Sequence, residues 1–437
     1  LSETSESASG FLQVAVALAA MAYLLTFVDI RLGLGLMILC VGLSPEVEVG
    51  GFKNLRLEDF LVPALLLAWV LRSTRSREDV VPNPIAAPLW SYLGVGLLAG
   101  LWGVSMETVQ LETVALILGK NLIFVLIFML ILNHIRSYQE FRAFVIFTLL
   151  VSLVSALTNS PLSQSYADAG RIHGPYGETG NIFAGYLIMH ICILLGLFLH
   201  LPTLRGRVFS LLACLPLLYT LLFTLSRTSY AALAIAVSFF AIFKHRRLVA
   251  IVLFSVLIFP AIAPEMVFDR AATILQIANQ EGKAPPSWEA RVQAWEASTH
   301  KIFDRPLLGS GPGSIPFGWI DNEYVRVAVD MGIIGLMVFL WLLLIIGIRA
   351  NSVYNTLEGP GIMKGYSAGY LMALVAIIVH GSGATSFTAI RTMETFMLLT
   401  GLMAVLYIRH EKWKEAEQEE VRQVIGSSAM RAMQRHR

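Results

Sequence analysis

Three arginines lie at positions where a membrane-bound chain could hold an anion. Arg171 falls in a glycine-rich loop, Arg227 lies in a very short connection between two apolar segments, and Arg291 lies in the long polar interval 264–331. Arg227 also lies at the start of the next apolar helix, whose free N–H groups and dipole favour an anion. Because an unpaired buried arginine is costly, each one either binds an anionic group or extends along apolar surface to water or lipid headgroups. The sequence leaves both possibilities open.

Two carboxylates and a histidine could take a proton from a hydroxyl group near these arginines. Asp321 and Glu323 lie just before an apolar segment, and His173 lies in the loop 159–180. The plainer alternatives are that Asp321 or Asn322 only caps the following helix and that the loop is a solvated turn. Ionisable groups at membrane depth nevertheless favour a functional hypothesis.

The composition is that of a membrane protein. Of the 437 residues, 56% are hydrophobic and 14% are charged, and the mean hydropathy is +0.69, whereas soluble domains carry about 25% charged residues. We therefore expect an all-α polytopic membrane protein with about 12–13 transmembrane helices. The candidate segments are roughly 11–28, 32–44, 60–72, 86–104, 113–132, 142–158, 181–201, 208–225, 229–243, 248–263, 325–348, 366–383 and 393–408.

The cysteines and the net charge predict little further chemistry. Cys40, Cys192 and Cys214 all lie in apolar segments, so the sequence indicates neither a disulfide framework nor a cysteine metal site. Common metal-binding and nucleotide-binding motifs are absent from the sequence, and the net charge is only +2. We expect no metal, no cofactor and no nucleic-acid partner.

The distribution of basic residues predicts which loops lie in the cytoplasm. Alternate short loops carry arginine or lysine and the loops between them carry almost none, which places the basic loops inside. The basic residues are Arg72, Arg75, Arg77, Arg136, Arg142, Arg205, Arg207, Lys244, Arg246, Arg247, Arg349 and Lys364. The outward-facing stretches are then 159–180, 226–229, 264–324 and 384–392, on the periplasmic side if the source is a bacterium.

This orientation divides the chain into four parts. Residues 1–263 are expected to form N-terminal transmembrane helices with short outer loops, and residues 264–324 one large periplasmic loop. Residues 325–408 are expected to form the C-terminal transmembrane helices, and residues 409–437 a cytoplasmic tail.

Short amphipathic helices are predicted within the large loop. Residues 264–280 have the pattern of a helix that lies on the bilayer surface. Residues 288–302 form a second helix with Trp288 and Trp295 on one face, and Arg291 lies on that tryptophan-bearing side. The loop therefore presents an arginine close to the lipid surface.

The order of several motifs resembles that of a known family. A glycine-rich outer loop leads to Asn181, Ser226-Arg227 opens a short connection, and Arg291 precedes Ala294-Trp295. There follow Arg305-Pro306-Leu307-Leu308-Gly309-Ser310-Gly311-Pro312-Gly313, Asp321-Asn322-Glu323-Tyr324 and Asp330-Met331-Gly332-Ile333-Ile334-Gly335-Leu336. This order resembles the O-antigen ligase and polymerase superfamily of bacterial envelopes, over roughly residues 90–410 and most specifically over 291–336.

The resemblance implies a glycosyltransferase with a GT-C-like fold in the bacterial inner membrane, with its active site facing the periplasm. Such enzymes need no metal and use an undecaprenyl-diphosphate-linked glycan as donor. Polymerases transfer the glycan to another lipid-linked repeat unit and so build O-antigen or exopolysaccharide, whereas ligases transfer it to lipid A–core. Membrane lipids and a chain-length regulator are the further expected partners.

The resemblance also implies roles for individual residues. Arginines that match Arg227 and Arg291 are thought to hold the diphosphate, and Arg171 is a third candidate. The expected groups that take the proton from the acceptor hydroxyl are, in order of preference, Asp321, Glu323 and His173. Further substrate contacts are expected from Asn181, Asn322, Tyr324 and Glu178.

One position departs from the ligase pattern. Ligases of this family carry a histidine, usually followed by asparagine, where this chain has Asp321-Asn322. The departure favours a polymerase of repeat units, with an O-antigen ligase as the alternative.

Two alternatives belong to other classes. A polysaccharide or lipid transporter would favour polar residues buried at mid-membrane in broken helices, whereas the charges here cluster at outer ends of largely uninterrupted spans. A non-catalytic sensor or assembly protein would not need arginines placed to bind an anion.

Arg326 and Asp330 are spaced to form a structural ion pair. His380, Arg391 and Glu394 are weaker site candidates, and His380 is expected to be a satisfied helix-packing histidine rather than a catalyst.

Overall fold

The computed structural model shows a bundle of long α-helices. It describes residues 29–44, 47–49, 52–76, 80–161, 172–175, 178–246, 286–316 and 319–435, with positions 17, 20, 21, 23–25 and 249. The helices are α1 (Ile30–Leu43), α2 (Glu58–Ser76), α3 (Ala86–Ser105), α4 (Leu111–His134), α5 (Tyr138–Thr158), α6 (Gly180–His200), α7 (Leu204–Phe223), α8 (Arg227–Phe243), α9 (Pro286–Asp304), α10 (Glu323–Thr356), α11 (Ile362–His380) and α12 (Ile390–Arg435).

Eight of the described helices, α3–α7 and α10–α12, are long and apolar enough to cross a membrane. Two shorter apolar helices, α1 and α8, lie among them, and α2 covers the predicted segment 60–72. The prediction of an all-α polytopic membrane protein is therefore confirmed. The predicted segments 11–28 and 248–263 lie almost entirely outside the described residues, so the number of 12–13 spans stays a prediction.

A short hairpin that the sequence analysis did not predict connects α1 to α2. Its strands are β1 (Val47–Val49) and β2 (Phe52–Leu55), which pair in antiparallel fashion. The hairpin lies at the end of the bundle and joins two helices that both contribute residues to the core.

Helix α6 lies at the centre of the bundle, where it packs against α7 and α11. The contact with α11 depends on glycines, since a methyl group added at Gly196 would lie 2.3 Å from Gly365 O, and one at Gly369 would lie 2.7 Å from Cys192 O. Small residues allow close backbone approach between membrane helices. The glycines therefore allow the backbones of these two helices to pack closely, because they carry no side chain.

Helix α10 is broken at Gly332, whose φ of 67° and ψ of −169° are not helical. The expectation of largely uninterrupted spans is therefore wrong for this helix, although the break lies towards its N-terminal end. The glycine-rich segment 305–313 fills the break and satisfies the backbone groups around it. The bonds run from Ser310 N–H to Val329 O (2.8 Å), from Gly311 N–H to Asp330 O (3.0 Å) and from Ile333 N–H to Pro306 O (2.8 Å).

Helix α9 packs against the start of α10. Its residues Trp295 and Ile302 join a small apolar cluster with Ile315, Ile320 and Val329. The predicted helix 288–302 is confirmed, with bounds two residues wider at each end. The predicted surface helix 264–280 lies outside the described residues.

The loops predicted to share a side of the membrane lie at the same end of the bundle. At one end, Thr108 Oγ1 donates to Ser310 O at 2.6 Å. At the other end, Gly361 N–H donates to His200 O at 2.8 Å, and Glu417 Oε1 accepts from Met363 N–H at 2.8 Å. Helix α12 continues without a break from the core into the predicted tail 409–437.

Candidate functional site

The outer loop that contains His173 lies beside the turn that contains Arg227. Ile172 N–H donates to Phe223 O at 3.0 Å, at the C-terminal end of α7. The turn that follows is tight, because Leu225 has a φ of 52°, a left-handed conformation that is uncommon for a residue other than glycine. Arg227 is then the first residue of α8. Two of the predicted site segments therefore meet at one end of the bundle.

Residues 381–389, which connect α11 to α12, form the next wall of this region and are called the 381–389 loop below. A methyl group added at Gly383 would lie 2.6 Å from Thr228 Oγ1. The loop therefore packs directly on the first turn of α8, next to Arg227. Its other side contacts the start of α10.

The start of α10 is bound to the 381–389 loop through its capping residue. Asn322 Oδ1 accepts hydrogen bonds from two backbone N–H groups of the first turn, at 3.0 and 3.2 Å. Its Nδ2 donates to Ser382 O at 3.0 Å, and Glu323 N–H donates to Gly381 O at 2.8 Å. The capping alternative is confirmed for Asn322, and Asp321 lies immediately before the cap.

Glu323 and Tyr324 use their polar groups to hold neighbouring segments. Glu323 is buried, and its carboxylate accepts from Phe387 N–H (3.1 Å), Thr388 N–H (3.3 Å) and Thr388 Oγ1 (2.7 Å). Tyr324 donates its hydroxyl proton to Ile378 O at 2.6 Å. Glu323 therefore positions the 381–389 loop and Tyr324 the C-terminal end of α11, so the geometry favours a positioning role for both residues over direct contact with a substrate.

A cavity of about 360 Å³ opens between the start of α10, the start of α6 and the 381–389 loop. Most of the residues that line it carry a hydroxyl, amide, imidazole or carboxyl group. They include Asp321, Asn181, Thr179, His380, Thr385, Ser386 and Thr392. The structure thus brings together two predicted site residues, Asp321 and Asn181, with His380, a weaker site candidate for which helix packing was the preferred interpretation.

Glu178, predicted to contact substrate, forms a buried ion pair with Arg391. Both oxygens of Glu178 accept from Arg391 Nε, at 2.8 and 2.7 Å. The two remaining guanidinium nitrogens donate to the carbonyl oxygens of Val41 (2.9 Å) and Ser44 (2.7 Å) at the end of α1. Because these groups are buried and hydrogen-bonded together, Glu178 anchors the outer loop that leads into α6.

A second buried arginine, Arg56, was missed by the sequence analysis. Its Nε lies 2.7 Å from Glu58 Oε1, and its NH1 donates to Glu394 Oε2 at 3.2 Å. Another of its nitrogens donates to Val41 O at 3.2 Å, the carbonyl group that Arg391 also contacts. The only sequence signal was a charged stretch after a short polar loop, which does not reveal its partners.

The structural alternative for Arg326 and Asp330 is confirmed. Arg326 Nε lies 3.7 Å from Asp330 Oδ2, one helical turn away. Arg326 also donates to Ile315 O at 3.0 Å, and Asp330 accepts from Ser314 Oγ at 3.2 Å. The pair therefore holds the glycine-rich segment 305–313 and its continuation against α10.

The structure describes the three predicted diphosphate-binding arginines to different extents. Arg227 is partly exposed at the N-terminus of α8. The backbone of Arg291 lies in α9, one helical turn before Trp295, and its side chain is outside the described part of the chain. Arg171 lies outside the described residues altogether.

A second cavity of about 340 Å³ lies on the other side of the α10 start. Ile182 contributes to both cavities, so they are neighbours. The second cavity has a largely apolar wall that includes Tyr92, Leu116 and Phe124. Ionisable residues also contribute to it, namely Lys120, Glu323, Arg326 and Asp330. A cavity with this distribution could hold an apolar chain next to a polar group.

Comparison with known proteins gives a family match over part of the chain. Residues 212–340 match the family model of the O-antigen ligases. The matched region runs from α7 into α10 and includes Arg227, Arg291 and Asp321, although it covers less than a third of the chain. The match supports the O-antigen ligase and polymerase superfamily, and with it a glycosyl-transferring, multi-pass membrane enzyme that acts on lipid-linked glycans. A search of curated proteins found no match.

Proposed function

We propose that this member of the O-antigen ligase family polymerises undecaprenyl-diphosphate-linked repeat units into O-antigen or exopolysaccharide. The observation that carries the proposal is the convergence of the Arg227 turn and Asp321 on the 381–389 loop. A cation at a helix N-terminus and a carboxylate beside a polar cavity are the groups that glycosyl transfer from a diphosphate requires.

The leaving group of the reaction is a lipid diphosphate, whose negative charge increases as the glycosidic bond to phosphate breaks. Arginines stabilise such a charge through bidentate hydrogen bonds. Arg227, at the N-terminus of α8, and Arg291, on the helix that packs against α10, are the proposed ligands, with Arg171 as a third. Because the diphosphate is a good leaving group when held in this way, the proposed reaction needs no metal.

The acceptor hydroxyl must lose a proton as it attacks the anomeric carbon. Asp321 is the proposed base, because it lines the polar cavity directly before the α10 cap. Glu323 fits this role less well, since its carboxylate already accepts three hydrogen bonds from Phe387 and Thr388. His173 remains a third candidate in the adjacent loop.

The apolar part of the donor has a plausible place next to this site. The second cavity has an apolar wall and adjoins the polar one through Ile182. We assign the first isoprene units of the lipid to it, with the sugar directed towards Asp321. The active site would then face the periplasm of a bacterial inner membrane, and an O-antigen ligase that uses lipid A–core as acceptor is the second candidate function.

The proposal is tested by incubating the purified full-length protein with a lipid-diphosphate-linked repeat unit and no added metal, and separating the products on a gel. A ladder of lengths is expected. A single transfer that occurs only when lipid A–core is added would instead identify a ligase. No transfer under either condition would contradict both functions.

Variants of the same protein test the residue assignments. Asp321→Asn is expected to lower kcat about 100-fold or more, because it removes the base. Arg227→Lys is expected to lower it by a similar factor, because lysine cannot make a bidentate contact with the diphosphate. The matched control is Asp304→Asn, an exposed carboxylate at the end of α9 that lines neither cavity. Wild-type kcat in both site variants would remove Asp321 and Arg227 from the mechanism.

A further inference from the structure

His380 is a buried histidine in the wall of the polar cavity, with one nitrogen hydrogen-bonded to the protein and the other without a partner among the described residues. Its side chain is 1% exposed, and Nδ1 lies 2.7 Å from Ser386 Oγ. The Ser386 hydroxyl donates to Ala384 O at 3.5 Å, which leaves its oxygen free to accept from Nδ1–H. Nε2 then carries a lone pair, and it has no hydrogen-bond partner among the described residues. The expectation of a satisfied packing histidine is therefore only half correct.

Space for this ring is provided by a glycine on the neighbouring helix. A methyl group added at Gly185 of α6 would lie 3.2 Å from His380 Cε1 and 3.1 Å from Thr392 Cγ2. Both His380 and Thr392 line the cavity. A buried polar atom without a partner is destabilising, so a nitrogen left in this state in a residue that lines a cavity points to a ligand that supplies the missing hydrogen bond.

The chemistry of the cavity wall identifies the kind of ligand. The described residues that line it include one carboxylate and several hydroxyl and amide groups, and none of them is an arginine or a lysine. A diphosphate would meet the Asp321 carboxylate and no cation among these described lining residues. Neutral groups that both donate and accept hydrogen bonds, as sugar hydroxyls do, match this wall. The volume of about 360 Å³ is at the lower end of the range for small-molecule sites, roughly 300–1,000 Å³.

We propose that this cavity is the acceptor-sugar subsite and that His380 Nε2 accepts a hydrogen bond from a hydroxyl group of the acceptor sugar. His380 is a binding and positioning residue in this arrangement, while Asp321 takes the proton of the attacking hydroxyl. The inference rests on the proposed function, because an acceptor sugar is needed only if the enzyme transfers a glycan. It also separates the acceptor from the donor diphosphate, which the Arg227 turn holds outside this cavity.

Two substitutions separate the binding role from a packing role. His380→Asn keeps a polar group near the Nδ1 position, next to Ser386, and removes the group that faces the cavity. His380→Gln keeps a polar group near the Nε2 position and loses the contact with Ser386. His190→Asn is the matched control, because His190 is also a buried helical histidine, bonded to Tyr186 O at 2.9 Å, and lines neither cavity.

The experiment uses the full-length protein in detergent, with the lipid-diphosphate-linked repeat unit as donor and the free repeat-unit oligosaccharide, which lacks the diphosphate, as acceptor. His380→Asn is expected to raise the KM for the free oligosaccharide about tenfold, the effect of one lost hydrogen bond, with the KM for the donor unchanged. His380→Gln is expected to stay closer to the wild type. Thr385→Val, which removes a cavity hydroxyl at constant shape, is expected to act in the same direction as His380→Asn.

The outcomes test the acceptor subsite and the proposed function separately. A wild-type acceptor KM in both His380→Asn and Thr385→Val, or an equal rise of the acceptor KM in His380→Asn and in the control His190→Asn, would overturn the subsite while leaving polymerisation intact. Binding of the free oligosaccharide is also measured directly, by saturation-transfer NMR. Oligosaccharide that binds to the wild type and not to His380→Asn, without any glycan transfer, would support the subsite and contradict the proposed function.

Discussion

At the scale of single residues, the end of the bundle that carries the polar cavity depends on buried arginines that each join distant parts of the chain. Arg391 in α12 contacts Glu178 in the loop before α6 and two carbonyl oxygens at the end of α1. Leaving one member of such a group without its partner costs much more than an exposed ion pair contributes. Arg391 therefore fixes the loop from which Asn181 reaches the polar cavity.

Replacement of Arg391 is predicted to destabilise the protein even when the charge is kept. Arg391→Ala should cost about 3–5 kcal/mol of folding free energy, because Glu178 would stay buried without its partner. Arg391→Lys should also lower the melting temperature, because a single ammonium group cannot reach the carboxylate and both carbonyl oxygens. The measurement is thermal unfolding in detergent, with the exposed Arg422→Ala of the same helix as control. A wild-type melting temperature for Arg391→Lys would show that the network is not needed for stability.

The residues whose roles could be predicted from sequence are those with local partners. Asn322 as a cap and Arg326 with Asp330 as a pair follow from spacing within one helix, and both are present. The partners of Glu178 and His380 could not be predicted, because Glu178 binds a residue 213 positions away and the free side of His380 is defined by a cavity that three segments enclose. Sequence spacing contains no information about such contacts.

At the scale of elements, the break in α10 explains why the motif 305–313 is rich in glycine. Gly309, Gly311 and Gly313 all have positive φ angles, between 67° and 93°. A methyl group added at Gly309 would lie 2.5 Å from Val329 O, so this position fits against α10 only without a side chain. Methyl groups at Gly311 and Gly313 would instead lie 2.8 Å from Val109 Cγ1 and 2.6 Å from Thr113 Cγ2, so the other face of the segment fits closely against residues of the α3–α4 region. The sequence identified this motif by resemblance but gave no reason for it, because the reason is the broken helix that the motif contacts.

Gly332→Ala is predicted to disrupt this contact. The new methyl group would lie 2.1 Å from Leu307 O at a φ of 67° and ψ of −169°, a combination that is nearly exclusive to glycine. Strain and overpacking together should cost about 2–5 kcal/mol, and activity should fall as the start of α10 moves.

The chain offers a matched control for that substitution. Gly359 has a φ of 76°, but a methyl group added there would meet nothing within 4 Å. Gly359→Ala should therefore lower the folding free energy by only about 1–2 kcal/mol, the cost of the positive φ angle for alanine. Equal melting temperatures for the two variants would show that the contact with Leu307 does not matter and that backbone strain alone accounts for the loss.

At the scale of the whole molecule, hydropathy and charge were sufficient to predict the class of the fold. The eight long apolar helices and the grouping of the predicted inner and outer loops at opposite ends agree with the expected topology. The packing order of the helices was not predictable, because α6 and α11 meet through glycines that look alike in sequence to other glycines of apolar segments. The orientation of the bundle in the membrane remains a prediction of the positive-inside rule.

This orientation can be measured by labelling single cysteines with a maleimide that does not cross membranes. The native cysteines Cys40, Cys192 and Cys214 are all buried, so the unmodified protein should give little background. His300→Cys lies on the exposed side of α9, at the end of the bundle that carries the polar cavity, and Glu358→Cys lies on the opposite end. In intact cells with a permeabilised outer membrane, His300→Cys should be labelled at once.

Glu358→Cys should react only after the inner membrane is opened, and Lys412→Cys, exposed on α12 at the same end, should behave in the same way. The reverse pattern would place the polar cavity in the cytoplasm. Asp321 and His380 would then face the cytoplasm, contrary to the proposed function, and the proposed polymerase would have to be abandoned. Labelling at the predicted end would place Asp321 and the proposed acceptor subsite on the periplasmic side, as the proposed function requires.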